Sequence, residues 1–152
     1  MEQLSKDLSR SLADYESFLP FIKAYAVWSR TNTDIPKNYK CFLAKSVLEE
    51  SEREYRHSLP ILSENDAKMI DYAAAQVTHS SYYKHKLFEI LVLSGWNCID
   101  AYFSIKLIKK LLRQNHEKFS IILLEQKRRD LIEMVRYKLI EIEDNDYQRE
   151  IK

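Results

Sequence analysis

The stretch from Tyr82 to Arg113, YYKHKLFEILVLSGWNCIDAYFSIKLIKKLLR, decides the fold. Its middle holds Leu87, Phe88, Ile90, Leu91, Val92 and Leu93, apolar on nearly every side of a helical wheel, as in a helix enclosed by others. Glu89, Asp100, Lys106, Lys109 and Lys110 break the apolar run, and each is costly at membrane depth, so a buried helix is expected and no membrane span. Gly95, the one glycine of the chain, marks a bend in this helix or a close approach to a neighbour. A central helix needs others to cover it.

Outward from this stretch, apolar residues recur at three and four positions rather than at two, and turn dipeptides such as Asn-Gly are absent. Leu8, Leu12, Tyr15 and Leu19 place a first helix over about residues 5–19, with Pro20 ending it or kinking it into 21–30. Pro36 opens a second element with Tyr39, Phe42, Leu43, Val47 and Leu48 on its apolar stripe, its charged turns 49–56 face water, and Pro60 closes it. Ser63 with Asp66 three residues on forms a helix start, followed by Met69, Ile70, Ala73, Ala74 and Val77 to about Ser80. The last long helix is expected over about 117–143, with Leu131, Val135, Leu139 and Ile142 on one face. No linker or repeat divides the chain. The expectation is an all-α, compact single-domain bundle of five to seven helices over 1–143, followed by a polar, frayed tail over 144–152.

Composition narrows the chemistry. With one Gly among 152 residues, Gly-rich phosphate loops are excluded. Two cysteines, Cys41 and Cys98, cannot form a disulfide scaffold and lack partners at metal-finger spacing. Both sit among apolar neighbours, where a thiol packs and stays inert, so a reducing, cytoplasmic setting is expected. Glu2, Asp7, Asp14 and Glu16 interrupt what a secretory signal would need as an apolar run. Glu54 and His57 share a helical face at metal-ligand spacing, but no second Glu-x-x-His exists to complete a two-metal bundle site. His85 and Glu89 at i,i+4 read as a surface pair. No nucleophile elbow is present. No metal, cofactor or catalytic residue is assigned, and a non-enzymatic protein is expected.

The charges are balanced in total, 24 Lys and Arg against 23 Asp and Glu, but not in place. Lys106, Lys109, Lys110 and Arg113 fall at i, i+3, i+4 and i+7, a single basic ridge. Over residues 102–138 ten cations face four acids, while residues 49–66 hold six acids and only Arg53 and Arg56. Lys127, Arg128 and Arg129 extend the basic set, and a nucleic-acid backbone is one partner such a surface could take. The opposed patches also suit a homodimer. Ten Tyr, six Phe and two Trp add aromatic bulk: Trp28 and Trp96 are expected inside, and Tyr82 with Tyr83 are candidate partner-binding residues.

A compact helical bundle with a basic surface resembles the helical HEPN nucleases. The resemblance implies a bundle without the nuclease motif, because the spacings Arg53 to His57 and Arg113 to His116 are both too short for it. The reading that the residues favour is a helical interaction module, an adaptor, subunit or inhibitor that binds a protein partner. Nucleic-acid binding through the basic ridge is the alternative.

Overall fold

A computed structural model describes residues 4–32, 59–93 and 101–151, and these are helical with no strand among them. In chain order they form α1 (Lys6–Ser11), α2 (Tyr15–Asn32), α3 (Glu64–Thr78), α4 (Tyr82–Phe88), a π-helical turn (Glu89–Leu93), α5 (Ala101–Gln114) and α6 (Ile121–Ile151). The residues expected to form the second element, and Gly95, Trp96 and Cys98, lie outside the described residues.

Most of these helices begin the same way. The side chains of Ser5, Asp14, Ser63, Ser81 and Ser120 each accept a hydrogen bond from the backbone N–H three residues on, at 3.2, 2.7, 3.1, 3.2 and 3.0 Å respectively. A helix's first N–H groups have no partner in the helix, and a short oxygen-bearing side chain supplies one. The expected Ser63 cap is therefore present. Its Asp66 does not return to the Ser63 backbone: Asp66 is buried, and its Oδ1 accepts from the Ser5 N–H at 3.0 Å, tying the start of α1 to the start of α3.

Two boundaries differ from those expected. The first break falls at residues 12–14, where Asp14 starts α2, and Pro20 lies inside α2. Proline there removes the donor to the Glu16 carbonyl and crowds that carbonyl with its ring; Glu16 is exposed, so water can take the donor's place. At the other end α6 continues to Ile151, through the polar residues read as a frayed tail. Residues 144–151 contain no proline or glycine, and adding a residue to a formed helix costs far less than starting one.

The core gathers around the expected central apolar segment. Leu87, Phe88, Ile90, Leu91 and Val92 are all buried, and the π-helical turn packs against both α2 and α6. Helix α6, about 46 Å long at 1.5 Å per residue, also packs against α3 and α4, burying Leu131, Ile132, Val135, Leu139 and Ile142. From α2 come Phe18, Ile22 and Tyr25, and from α5 Ile108, Leu111 and Leu112. Trp28 packs against this core, as expected, and stacks on Tyr25 with ring centroids 6.0 Å apart.

Candidate interaction surfaces

Packing α4 beside the second half of α3 leaves a groove between them. It has a volume of about 500 Å³ and is floored by Tyr25, Ala74 and Phe88, with Ala75, Thr78, Leu93 and Tyr82 along its sides. Asp71, His79 and His85 line it from exposed positions and Ser81 from a half-buried one, while the polar atoms of Tyr25 and Thr78 are buried within it. The Tyr25 hydroxyl donates to Asp71 Oδ1 at 2.5 Å. Burial first, and the adjacent Asp71 carboxylate second, push the Tyr25 phenol far above its ordinary range, so it stays protonated and remains a donor. Thr78 Oγ1 donates to the Ala74 carbonyl at 2.9 Å. On the opposite rim His85 Nε2 lies 3.5 Å from Glu89 Oε1, the surface pair expected from their spacing, and Lys86 Nζ lies 3.2 Å from the other Glu89 oxygen. Among the described residues no group of three or more His, Cys, Asp or Glu is placed to hold a metal ion.

The two adjacent tyrosines part ways. Tyr82 is 68% exposed on the rim of the groove, with Lys86 Nζ 5.7 Å from its ring centre. Tyr83 turns inward against the core, and its hydroxyl donates to Glu117 Oε1 at 2.7 Å. Lys127 Nζ meets the other Glu117 oxygen at 2.8 Å and lies 5.3 Å from the Tyr83 ring centre. The bonds from Lys127 and Tyr83 hold the Glu117 carboxyl below its usual range. Burial pulls the Lys127 ammonium down, but Glu117 and Tyr83 outweigh it and the net shift is upward. Tyr83 thus joins α4 to α6 and presents no free hydroxyl to a partner.

The cations also divide. Lys106, Lys109, Lys110 and Arg113 are all exposed on α5, opposite buried Ile108, Leu111 and Leu112, so the expected ridge exists. Lys127, Arg128 and Arg129 do not extend it as a unit, because successive helical residues point about 100° apart. Lys127 faces Glu117, Arg128 lines the seam of Leu19, Ile22, Val92 and Ile132, and Arg129 stacks over the Tyr15 ring at 4.6 Å. Of the acidic residues proposed to face the ridge in a dimer, Glu49, Glu50, Glu52 and Glu54 lie outside the described residues, as do Cys41 and His57. Asp66 is buried against Ser5, leaving Glu64 exposed beside Lys68.

Three features were not expected from the sequence. One is the groove itself, since Tyr25 and Asp71 are 46 residues apart and only the packing of α2 on α3 joins them. Another is the Arg136 guanidinium, which donates to the Leu12 carbonyl across 124 residues. The third is a pair of exposed isoleucines, Ile121 and Ile122, at the start of α6. Helical periodicity signals Ile122, which falls opposite the buried stripe of α6, but not Ile121, which is in phase with Ile132 and Leu139 and is exposed nonetheless.

No protein-family model, curated protein or solved structure matches the chain, so the functional reading rests on its own surfaces.

Proposed function

We propose that the chain is a non-enzymatic helical interaction module that binds a protein partner in the groove between α3 and α4. The observation that carries the proposal is the groove's lining: buried Tyr25, Ala74 and Phe88 give it an apolar centre whose hydroxyls, those of Tyr25 and Thr78, are already bonded, and exposed Tyr82, Asp71, His79 and His85 border it. Binding surfaces combine an apolar centre with a polar rim in this way, and tyrosine is enriched in them because its ring buries area while its hydroxyl stays wet. The fitting partner is a segment with a bulky apolar side chain for the floor of Tyr25, Ala74 and Phe88, and a cation for the exposed Asp71. The chemistry of the groove supports binding over turnover. Of its buried hydroxyls, Tyr25 donates to Asp71 but is held protonated by its burial, and Thr78 donates to a backbone carbonyl that cannot act as a base, so neither is activated as a nucleophile.

The test is capture of partners from native extract by the parent chain, by Ala75→Trp, which fills the groove from its side, and by Tyr82→Ala. Samples treated with nuclease are compared with untreated ones. The expected result is a protein retained by the parent after nuclease and lost by both variants, with circular dichroism and melting unchanged. A protein retained equally by all three would move the binding surface elsewhere.

A further inference from the structure

We propose that the turn joining α5 to α6 docks on a lipid bilayer with anionic headgroups, Ile121 and Ile122 entering the acyl boundary and the α5 cations holding the phosphates. The inference goes beyond the groove and does not depend on it. Two independent observations meet at this end of the bundle.

The first is charge. Helix α5 carries Lys106, Lys109, Lys110 and Arg113 and no acid at all, and its exposed cations run over about 10 Å of helix. The nearest acid in the following turn, Glu117, is held by Lys127 and Tyr83, while Lys118 beside it is exposed. The second is exposed apolar surface. Ile121 and Ile122 are 70% and 79% exposed, side by side at the first turn of α6. Isolated exposed apolar residues are ordinary on a surface, but two adjacent isoleucines beside a cluster of cations are the combination that peripheral membrane binding uses.

The backbone brings these groups together. After Gln114 the chain reverses through His116, with the Glu117 N–H donating to the Leu112 carbonyl at 2.8 Å and the His116 N–H to the Arg113 carbonyl at 3.1 Å. Phe119 then folds back so that Lys109 Nζ lies 5.2 Å from its ring centre. Lys109, Lys110, Arg113 and Lys118 therefore stand at the same end of α5 as the isoleucine pair.

A nucleic acid would use the same cations but has no place for the isoleucines. It would also need the charge to continue along a phosphate track, whereas Lys127, Arg128 and Arg129 turn to three other neighbours. A bilayer needs both parts: apolar burial for insertion, and cations that each add about a fivefold gain in binding to an anionic surface.

The experiment is flotation of the whole chain with vesicles of phosphatidylcholine alone and of phosphatidylcholine with phosphatidylserine. Compared are the parent, Ile121→Ser/Ile122→Ser and Lys109→Glu/Lys110→Glu. All four substituted positions are exposed, and circular dichroism checks that each variant folds. The parent should bind the anionic vesicles and not the neutral ones. Each double variant should weaken that binding at least tenfold; for the lysine pair, two cations at about fivefold each make the expected loss about 25-fold or more. Fluorescence anisotropy with duplex RNA and DNA is the second arm. The proposal is overturned if the parent ignores anionic vesicles. It is equally overturned if the isoleucine variant binds them as well as the parent does, or if the parent binds a duplex more tightly than vesicles and the isoleucines are irrelevant to it.

Discussion

Replacing Arg136 with methionine should cost about 3 kcal/mol of stability, although the residue looks at first like one more cation on a charged helix. Its side chain is only 10% exposed. Nη1 donates to the Leu12 carbonyl at 2.8 Å, Nη2 and Nε donate to the two oxygens of Glu133 at 2.7 and 3.2 Å, and the guanidinium lies 4.7 Å from the Tyr137 ring centre. Leu12 is the residue that ends α1, so its carbonyl is one the helix cannot satisfy itself. Arg136 thereby fastens the end of α1 to α6. A hydrogen bond from a charged donor contributes roughly 1.5–3 kcal/mol. Losing this one, plus about 1 kcal/mol for a partly buried Glu133 left without its partner, gives the stated total. Methionine keeps most of the apolar stem, so the loss reports the guanidinium rather than a cavity. With a urea slope of about 2 kcal/mol per molar, the midpoint should fall by roughly 1.5 M. Arg136→Lys should recover less than half of the loss, because one ammonium cannot reach both Glu133 oxygens and the Leu12 carbonyl in the geometry of the fork. A methionine variant within about 0.5 kcal/mol of the parent, the range of ordinary surface changes, would refute the reasoning.

Two further outcomes follow from the turn after α5. His116 has a φ of 59°, the left-handed conformation that penalises any side chain by about 1–2 kcal/mol, and glycine there gives back about 0.4–1 kcal/mol through the unfolded chain. His116→Gly should therefore raise the melting temperature by about 2–4 °C in a chain of this size, and His116→Ile should lower it. A glycine variant that melts earlier would show that the imidazole makes a contact outweighing the backbone term. Glu117 is held below its usual range and Lys127 above its own, so their pairing stabilises the fold fully between about pH 5 and pH 10. For Glu117 the folded value is the lower one, so its contribution is lost as pH falls through that value; for Lys127 it is the higher one, so loss comes as pH rises through it. Glu117→Gln should thus be less stable than the parent at pH 7, with the gap closing as acid is added. Urea midpoints across pH would check this, and a gap that stays constant down to pH 2 contradicts the assignment.

The helices were legible because their signals are local. Ser63 with Asp66, the spacing of Leu131, Val135, Leu139 and Ile142, and the all-round apolar run at Leu87 to Leu93 each depend on residues within a few turns. The break at residues 12–14 was as local, but Pro20 is the louder signal, and the helix runs through it with the freed Glu16 carbonyl on an exposed residue. The π-helical turn had no such signal, since a segment apolar on all sides reads alike in an α-helix or a wider one. What makes the residues of Glu89 to Leu93 central is that α2 and α6 cover them, and that coverage is set by residues far away in the chain.

Surface chemistry is harder to read for the same reason, and Tyr82 and Tyr83 show where the limit lies. Helical geometry requires that neighbouring side chains diverge, so one of the two had to leave the core. It does not say which. That choice is made by Glu117, which is 34 residues from Tyr83 and accepts its hydroxyl only because the chain reverses at His116 and brings Lys127 to the other oxygen. Once Tyr83 is committed inward, Tyr82 must stand on the rim of the groove, and Glu117 is no longer a counter-charge for the α5 ridge. A single half-buried cluster therefore sets both candidate surfaces: it exposes the tyrosine on the groove and engages Glu117, the acid of the turn beside Ile121 and Ile122, with Lys127 rather than with the α5 cations.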